Sequence, residues 1–246
     1  MINISSYVKK GNVRLDNQDW VDFAFNKVGH AFAVLCDGMG GHYGGKVAAK
    51  KSCNFAIKSF LEFKNFYPTE LEINNFLIFL IKDIIRYLKQ LSSENQNLLD
   101  MGTTIVIAYF FKNNIYVANV GDSRCYYVSK SSIKQITIDQ NLYNKIKRDE
   151  NSLQENNKAN KSILYSAVGP LKNFKIDTYL ISPTSGWILL CSDGIYSVID
   201  EKTIIATIIR PLPLSYKCEL LLENAIKFRS NDNVSAVLIE FDFLKK

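Results

Sequence analysis

Apolar residues recur along this chain with two periods. Between Gly44 and Phe63, Val47, Ala48, Phe55, Ala56 and Phe60 return at roughly helical spacing. Between Leu71 and Leu91, the residues Leu77, Leu80, Ile81, Ile84, Ile85 and Leu88 fall on one side of a second helix. A third stripe, Leu220, Leu221, Ala225 and Phe228, runs from Ser215 to Phe228, with Pro211 and Pro213 punctuating the chain ahead of it. The rest reads as strands. Short runs rich in Ile, Val, Tyr and Phe, bounded by Gly, Asn, Asp or Lys, predict them at Ala31–Cys36, Thr103–Phe111, Ile115–Val120, Cys125–Val128, Phe174–Ile181, Trp187–Cys191 and Val234–Phe243. Lys112-Asn113-Asn114 has the chemistry of a hairpin turn, and Val120-Gly121-Asp122-Ser123 separates the next pair of strands in the same way. Two tight connections in succession predict an antiparallel meander, because parallel strands need a long crossover. Helices and strands grouped apart predict an α+β fold. Strands apolar on both faces predict two packed sheets with helices outside.

Composition narrows the class. The 246 residues are 47% hydrophobic and 22% charged, globular values that exclude disorder for most of the chain. Lys and Arg number 30 against 24 Asp and Glu, and the resulting +6 is short of what a dedicated nucleic-acid binder carries. Two histidines, His30 and His42, without an H-E-x-x-H motif, cannot build a His-rich zinc site. The five cysteines (Cys36, Cys53, Cys125, Cys191 and Cys218) include no C-x-x-C pair, which fits a reducing compartment. The first residues lack the basic and apolar blocks of a signal peptide. The most apolar stretch, Phe76 to Leu88, is too short to span a bilayer and is interrupted by Lys82, Asp83 and Arg86. A soluble, cytoplasmic protein is expected.

Charge is uneven. Nine basic and four acidic residues lie between Lys130 and Lys175, which is most of the net charge. The segment reads as a mobile surface excursion, polar and Asn-rich from Asn151 to Asn160. It is either a solvated loop or a basic flap that attracts an anionic substrate.

The candidate chemistry lies in aspartates at the ends of apolar runs. Asp37 follows the strand in AFAVLCDGMGG, Asp122 sits in the turn of IYVANVGDSR, and Asp193 follows the strand in GWILLCSDG. Asp232 precedes the last strand in SNDNVSAVLIEF, and Asp19 stands ahead of a strand in RLDNQDW. Any one Asp-Gly is an ordinary turn. Recurrence is the signal: strand ends of one sandwich can converge on one rim, and clustered carboxylates repel unless cations lie among them. All-oxygen ligation selects Mg²⁺ or Mn²⁺ over zinc. Two such ions can clamp a phosphate and acidify a water for in-line attack.

These segments resemble, in order and over almost the whole chain, the metal-dependent serine/threonine protein phosphatase family of type 2C, in its short bacterial form. GNVRLDNQDW, AFAVLCDGMGGHYGGKVAA, MGTTIVIAYF, IYVANVGDSRCYYV, ILYSAVG, WILLCSDGIYSVI and SNDNVSAVLIEF are similar to its successive motifs. The resemblance implies one catalytic domain over residues 1–246, with a flap-like excursion around 139–168. The implied fold is a four-layer αββα sandwich of two antiparallel sheets. The implied activity is hydrolysis of phosphoserine and phosphothreonine on proteins, opposing a serine/threonine kinase. Asp37, Asp193 and Asp232 would be catalytic metal ligands, with the Gly38 carbonyl beside Asp37. Gln18 would reach the second of two Mn²⁺ or Mg²⁺ ions, Asp19 would hold metal-bound waters, and Asp122 with Asp193 would bind a third. Arg14 would bind the substrate phosphate, its fork suiting two oxygens. Gly102, Thr103 and Thr104 would serve packing. Phosphorylated proteins are the implied partners, and a monomer without nucleic-acid or membrane contacts is expected.

This chain departs from the family pattern at four places. Met39 stands where some relatives have a proton-donating His, and His42 reads as a structural residue. Gln18 replaces Glu, Lys46 replaces Glu, and Gln140-Asn141 replaces His-Ser after Asp139. Two other readings compete: a phosphatase fold that docks phosphorylated partners without turnover, and an anionic-surface or nucleic-acid binder using the Lys130–Lys175 segment.

Overall fold

Two antiparallel sheets lie face to face in the computed structural model, which describes residues 1–39, 43–149 and 161–245. In chain order the elements are β1 (Ile2–Lys9), β2 (Trp20–Phe25), β3 (Ala31–Cys36), β4 (Gly38–Met39), α1 (Gly44–Glu62), α2 (Glu70–Glu94), β5 (Gly102–Thr103), β6 (Ile105–Phe111), β7 (Asn114–Val120) and β8 (Arg124–Val128). There follow β9 (Ile133–Gln135), α3 (Leu142–Asp149), β10 (Asp177–Ile181), β11 (Ser185–Cys191), α4 (Asp193–Tyr196), α5 (Glu201–Ile208), α6 (Leu214–Lys227) and β12 (Val234–Asp242). One sheet has the order β1-β12-β11-β8-β9, the other β10-β7-β6-β3-β2, and β4 pairs with β5 alone. The α+β sandwich flanked by helices is the fold expected.

Alternate residues explain why the central strands are apolar throughout. Ala33, Leu35, Val106 and Val117 of one sheet meet Ile188, Leu190, Val237 and Ile239 of the other. The opposite face of the first group, with Phe32, Val34, Ile107 and Tyr109, is covered by α1 and α2. Leu189, Ala236 and Leu238 are covered by Leu221, Leu222 and Ala225 of α6 and by Ile204 of α5. A strand covered on both sides has no solvent face to alternate toward. The predicted stripe of α2 is buried along its length, and the helix opens with a capping box between Thr69 and Glu72.

The structure corrects several expectations. β7 and β8 belong to different sheets, so the Gly121–Ser123 connection is a crossing from one sheet to the other and not a hairpin. The residues 112–114 do turn a hairpin, between β6 and β7. β1 and β2 are edge strands, only partly buried, and neither is among the runs predicted above; β1 is rich in polar residues, whereas β2 is apolar apart from Asp22. Phe228 lies beyond α6 and is 57% exposed, so it leaves the stripe, while Cys218 and Leu222 join it. Within the expected excursion, residues 142–149 are helical, and both roots are buried: Asp139, Gln140 and Asn141 on one side, Ser166, Ala167 and Val168 on the other. The Asn-rich stretch 151–160 and His42 lie outside the described residues. Among the described residues no helix is long and apolar enough to cross a membrane.

Candidate active site

Strand register brings the predicted aspartates to one rim. In one sheet Lys9 pairs with Val234, Cys191 with Ala236, and Arg124 with Cys191. The chain therefore leaves β1, enters β12, leaves β11 and enters β8 at the same end. In the other sheet Trp20 pairs with Cys36 and Val120 with Ile105, so β2 begins there and β3 and β7 finish there. The connections at that end carry the candidates. Arg14, Gln18 and Asp19 lie between β1 and β2, Asp37 follows β3, and Asp122 lies on the crossing. Asp193 follows β11, and Asp232 precedes β12.

A cavity of about 900 Å³ opens at this rim, lined by Arg14, Gln18, Asp37, Gly38, Asp122, Asp193 and Asp232. Its far wall is Lys145, Ile163, Tyr165 and Lys172 from the basic segment. Asp37 is held by its backbone: its N–H donates to Thr104 Oγ1 (3.1 Å), and its carbonyl accepts from Thr104 N (2.8 Å) and Thr103 Oγ1 (2.9 Å). The two threonines expected to serve packing thus fix the central aspartate. Asp193 opens α4, whose next residue, Gly194, packs so close to the turn before β12 that a Cβ there would lie 1.9 Å from the Asn233 carbonyl. Asp19 is buried beneath the cavity, accepting a hydrogen bond from Ser235 Oγ (2.6 Å) and another from Ser192.

Electrostatics mark the site as cation-seeking. Burial and then the charges of Asp19, Asp193, Asp122 and Asp232 push the Asp37 carboxyl well above the usual range. Burial raises Asp122 to about 7, with Asp193 and Asp139 adding to it, and raises Asp193 to about 6, with Asp232 adding to it. Asp19 rises to about 7 by burial, against the pull of its two serines. Arg14 meets this field by forking onto Asp232, Nε to Oδ1 at 2.9 Å and the terminal nitrogen to Oδ2 at 2.6 Å. That pairing raises the guanidinium pKa further. Among the described residues, no three acidic, His or Cys side chains close around a single point as they stand. The donor set nevertheless fits hard dications: it is all oxygen, several carboxylates share one cavity, and burial works against their charge.

Sequence patterning gives no sign of Asn233, which organises the rim. Nearly buried at 3% exposure, it accepts from Gln18 N (2.9 Å) and donates to the carbonyls of Lys10 (2.7 Å) and Asp16 (3.0 Å). One side chain thus shapes the loop that carries Arg14 and Gln18. Tyr196, the last residue of α4, donates its hydroxyl to the Asp122 carbonyl (3.0 Å), and its ring lies 3.6 Å beneath the Arg124 guanidinium. Arg124 in turn forks onto Asp139 at 2.9 and 2.7 Å. Lys46 reaches Asp16 at the cavity mouth across 3.6 Å.

A model of the protein phosphatase 2C family matches residues 11–220. Serine/threonine phosphatase stp of Listeria monocytogenes serotype 4b is 29% identical over 240 residues, 96% of this chain and 95% of that protein. Serine/threonine phosphatase Stp1 from Staphylococcus aureus superposes with a TM-score of 0.89 at 28% identity, over 98% of this chain and 96% of that one. The catalytic domain of serine/threonine protein phosphatase PstP, solved in complex with two manganese ions, shares the fold with a TM-score of 0.79 at 23% identity, over 97% of each chain. The chain belongs to the protein phosphatase 2C family and is a serine/threonine protein phosphatase of that type.

Proposed function

We propose that residues 1–246 form one catalytic domain that hydrolyses phosphoserine and phosphothreonine in proteins with two Mn²⁺ or Mg²⁺ ions. The observation that carries this reading is the convergence of carboxylates from separate chain segments on one cavity, beside an arginine fork. Asp37, Asp193 and Asp232 hold the ions with the Gly38 carbonyl, Gln18 supports the second, and Asp122 beside Asp193 offers a third position. Asp19, behind the cavity, orients the shell from below. When bound, the two dications neutralise the carboxylates and supply the Lewis acidity that clamps phosphate oxygens and prepares water for in-line attack. Arg14 exchanges Asp232 for the substrate phosphate, presenting the same two-pronged geometry to two oxygens. The threonines behind Asp37 and the Asn233 clamp fix these groups before substrate arrives, so little reorganisation accompanies reaction.

The opposing enzyme in this reading is a serine/threonine kinase, and the protein is a cytoplasmic monomer without nucleic-acid or membrane partners. A docking module without turnover is the weaker reading, because Asp37, Asp122, Asp193 and Asp232 all line the cavity. The test is hydrolysis of a phosphothreonine peptide with MnCl₂, with EDTA, and by Asp193→Ala. Turnover with Mn²⁺ that is lost in EDTA and in the variant is the expected result. Folded wild-type protein inert at every Mn²⁺ and Mg²⁺ concentration would overturn it.

A further inference from the structure

One residue outside the ring of aspartates ties three chain segments together. Gln140 is fully buried, and every polar group it has is used. Its N–H donates to the Gly121 carbonyl (3.0 Å), and its Oε1 accepts from the Gly121 N–H (2.9 Å). Its Nε2 donates to the Lys175 carbonyl (3.1 Å) and to Asp177 Oδ2 (2.9 Å). Its own carbonyl accepts from Tyr165 N (3.1 Å). Gly121 is the residue before Asp122, on the crossing between sheets, with φ +103 and a carbonyl that also accepts from Asn119 Nδ2 (3.1 Å). Tyr165 lines the far wall of the same cavity. Lys175 and Asp177 mark where the chain returns from the basic segment into β10.

We propose that Gln140 is a positioning residue: it locks the Gly121–Asp122 turn to both roots of the segment that walls the cavity, so that Asp122 and Tyr165 hold one fixed spacing. The inference rests on reading Asp122 as part of the cation-binding rim. The geometry favours this particular side chain. A glutamine offers one acceptor and two donors from a planar amide, and here the acceptor faces the turn while the donors face the returning strand. A leucine of similar reach fills the space and makes none of these bonds. With the amide gone, the Gly121 N–H loses its partner in a buried place, and the Gly121 carbonyl keeps only the Asn119 contact and the Gln140 backbone N–H, while Tyr196 and Thr104 still hold Asp122 and Ser123 beyond it.

The test compares wild type with Gln140→Leu and with Asp177→Ala, which removes a partner of Gln140 without touching Gly121. Hydrogen exchange, Mn²⁺ titration calorimetry and phosphothreonine-peptide kinetics are the readouts. In Gln140→Leu, exchange at Gly121 and Tyr165 rises at least tenfold while amides of β11 and β12 stay protected. Mn²⁺ affinity drops several-fold, and kcat falls more than KM rises. Asp177→Ala gives the same pattern at smaller amplitude, and it decides the matter if Gln140→Leu does not fold. Unchanged exchange at Gly121, or loosening spread evenly over the protein, overturns the proposal. So does a loosened turn with wild-type Mn²⁺ affinity and kcat. A wild type without turnover overturns the phosphatase chemistry instead, and the clamp is then judged on exchange and Mn²⁺ affinity alone.

Discussion

Removing the Asn233 side chain tests how the rim is built. Asn233→Ala deletes three hydrogen bonds of 2.7, 2.9 and 3.0 Å and leaves Gln18 N–H and the carbonyls of Lys10 and Asp16 without that partner. A typical hydrogen bond contributes about 1 kcal/mol net, and a buried group left unpaired costs about 1–3 kcal/mol. Lys10 and Asp16 are exposed residues whose carbonyls can recruit water, so the loss is about 3 kcal/mol in total. Asn233→Asp is worse: it keeps the shape but turns two donor contacts into carboxylate-against-carbonyl contacts beside Asp232. Urea unfolding followed by tryptophan fluorescence measures both variants, since Trp20 opens the strand after the clamped loop. Kinetics supply the second readout: the loop carries Arg14 and Gln18, so KM for a phosphopeptide rises in Asn233→Ala. A cost below about 1 kcal/mol with unchanged KM would refute the idea that one amide shapes this loop.

Arg14→Gln removes the cation that forks onto Asp232. Calorimetry should then show several-fold tighter Mn²⁺ binding while kcat/KM on phosphopeptides collapses; weaker Mn²⁺ binding would contradict the exchange of partners proposed for Arg14. Gly194→Ala forces a Cβ onto the Asn233 carbonyl and should destabilise the protein by more than about 3 kcal/mol, read as a loss of soluble protein or a large drop in urea midpoint. EDTA-treated protein should lose stability as pH rises. Asp122 and Asp193 keep their protons in the fold up to about 7 and about 6, against an ordinary 3.8, so the stability they contribute is full below about 4 and fades steadily as pH climbs from there to 6–7. Urea midpoints at pH 5 and pH 8 check this, and the gap should shrink in Asp122→Asn. A midpoint rising with pH would refute it. Thr104→Val deletes the hydroxyl that accepts from Asp37 N and pairs with Ser123 Oγ at 2.7 Å. A cost of about 1–3 kcal/mol and a lower kcat are expected, from urea unfolding and phosphopeptide turnover.

The local chemistry of the chain determined a great deal by itself. Apolar runs covered on both faces disclosed the central strands, and the stripe of α2 disclosed its buried side, because burial is written directly into side-chain polarity. Asp37, Asp122, Asp193 and Asp232 were legible because a carboxylate at the end of a buried strand is chemically conspicuous. Edge strand β1 was not, since partial burial leaves it rich in polar residues. The Gly121–Ser123 connection shows the limit most clearly. A Gly-Asp turn between two strands has the same local signature whether it folds a hairpin or crosses between sheets, and only the pairing of β8 with β11 separates the two. Gln140 stands out in the sequence only as a departure from the family pattern, and Asn233 and Tyr196 only as members of longer motifs; nothing local says what any of the three holds. Their side-chain partners lie from 19 residues away, for Gln140 to Gly121, to 223, for Asn233 to Lys10. Such bonds exist only after two sheets have packed and brought their ends to one rim. The sequence therefore names the acids, and the tertiary structure decides which neutral side chains hold them in place, because hydrogen-bond geometry depends on distances that no local pattern encodes.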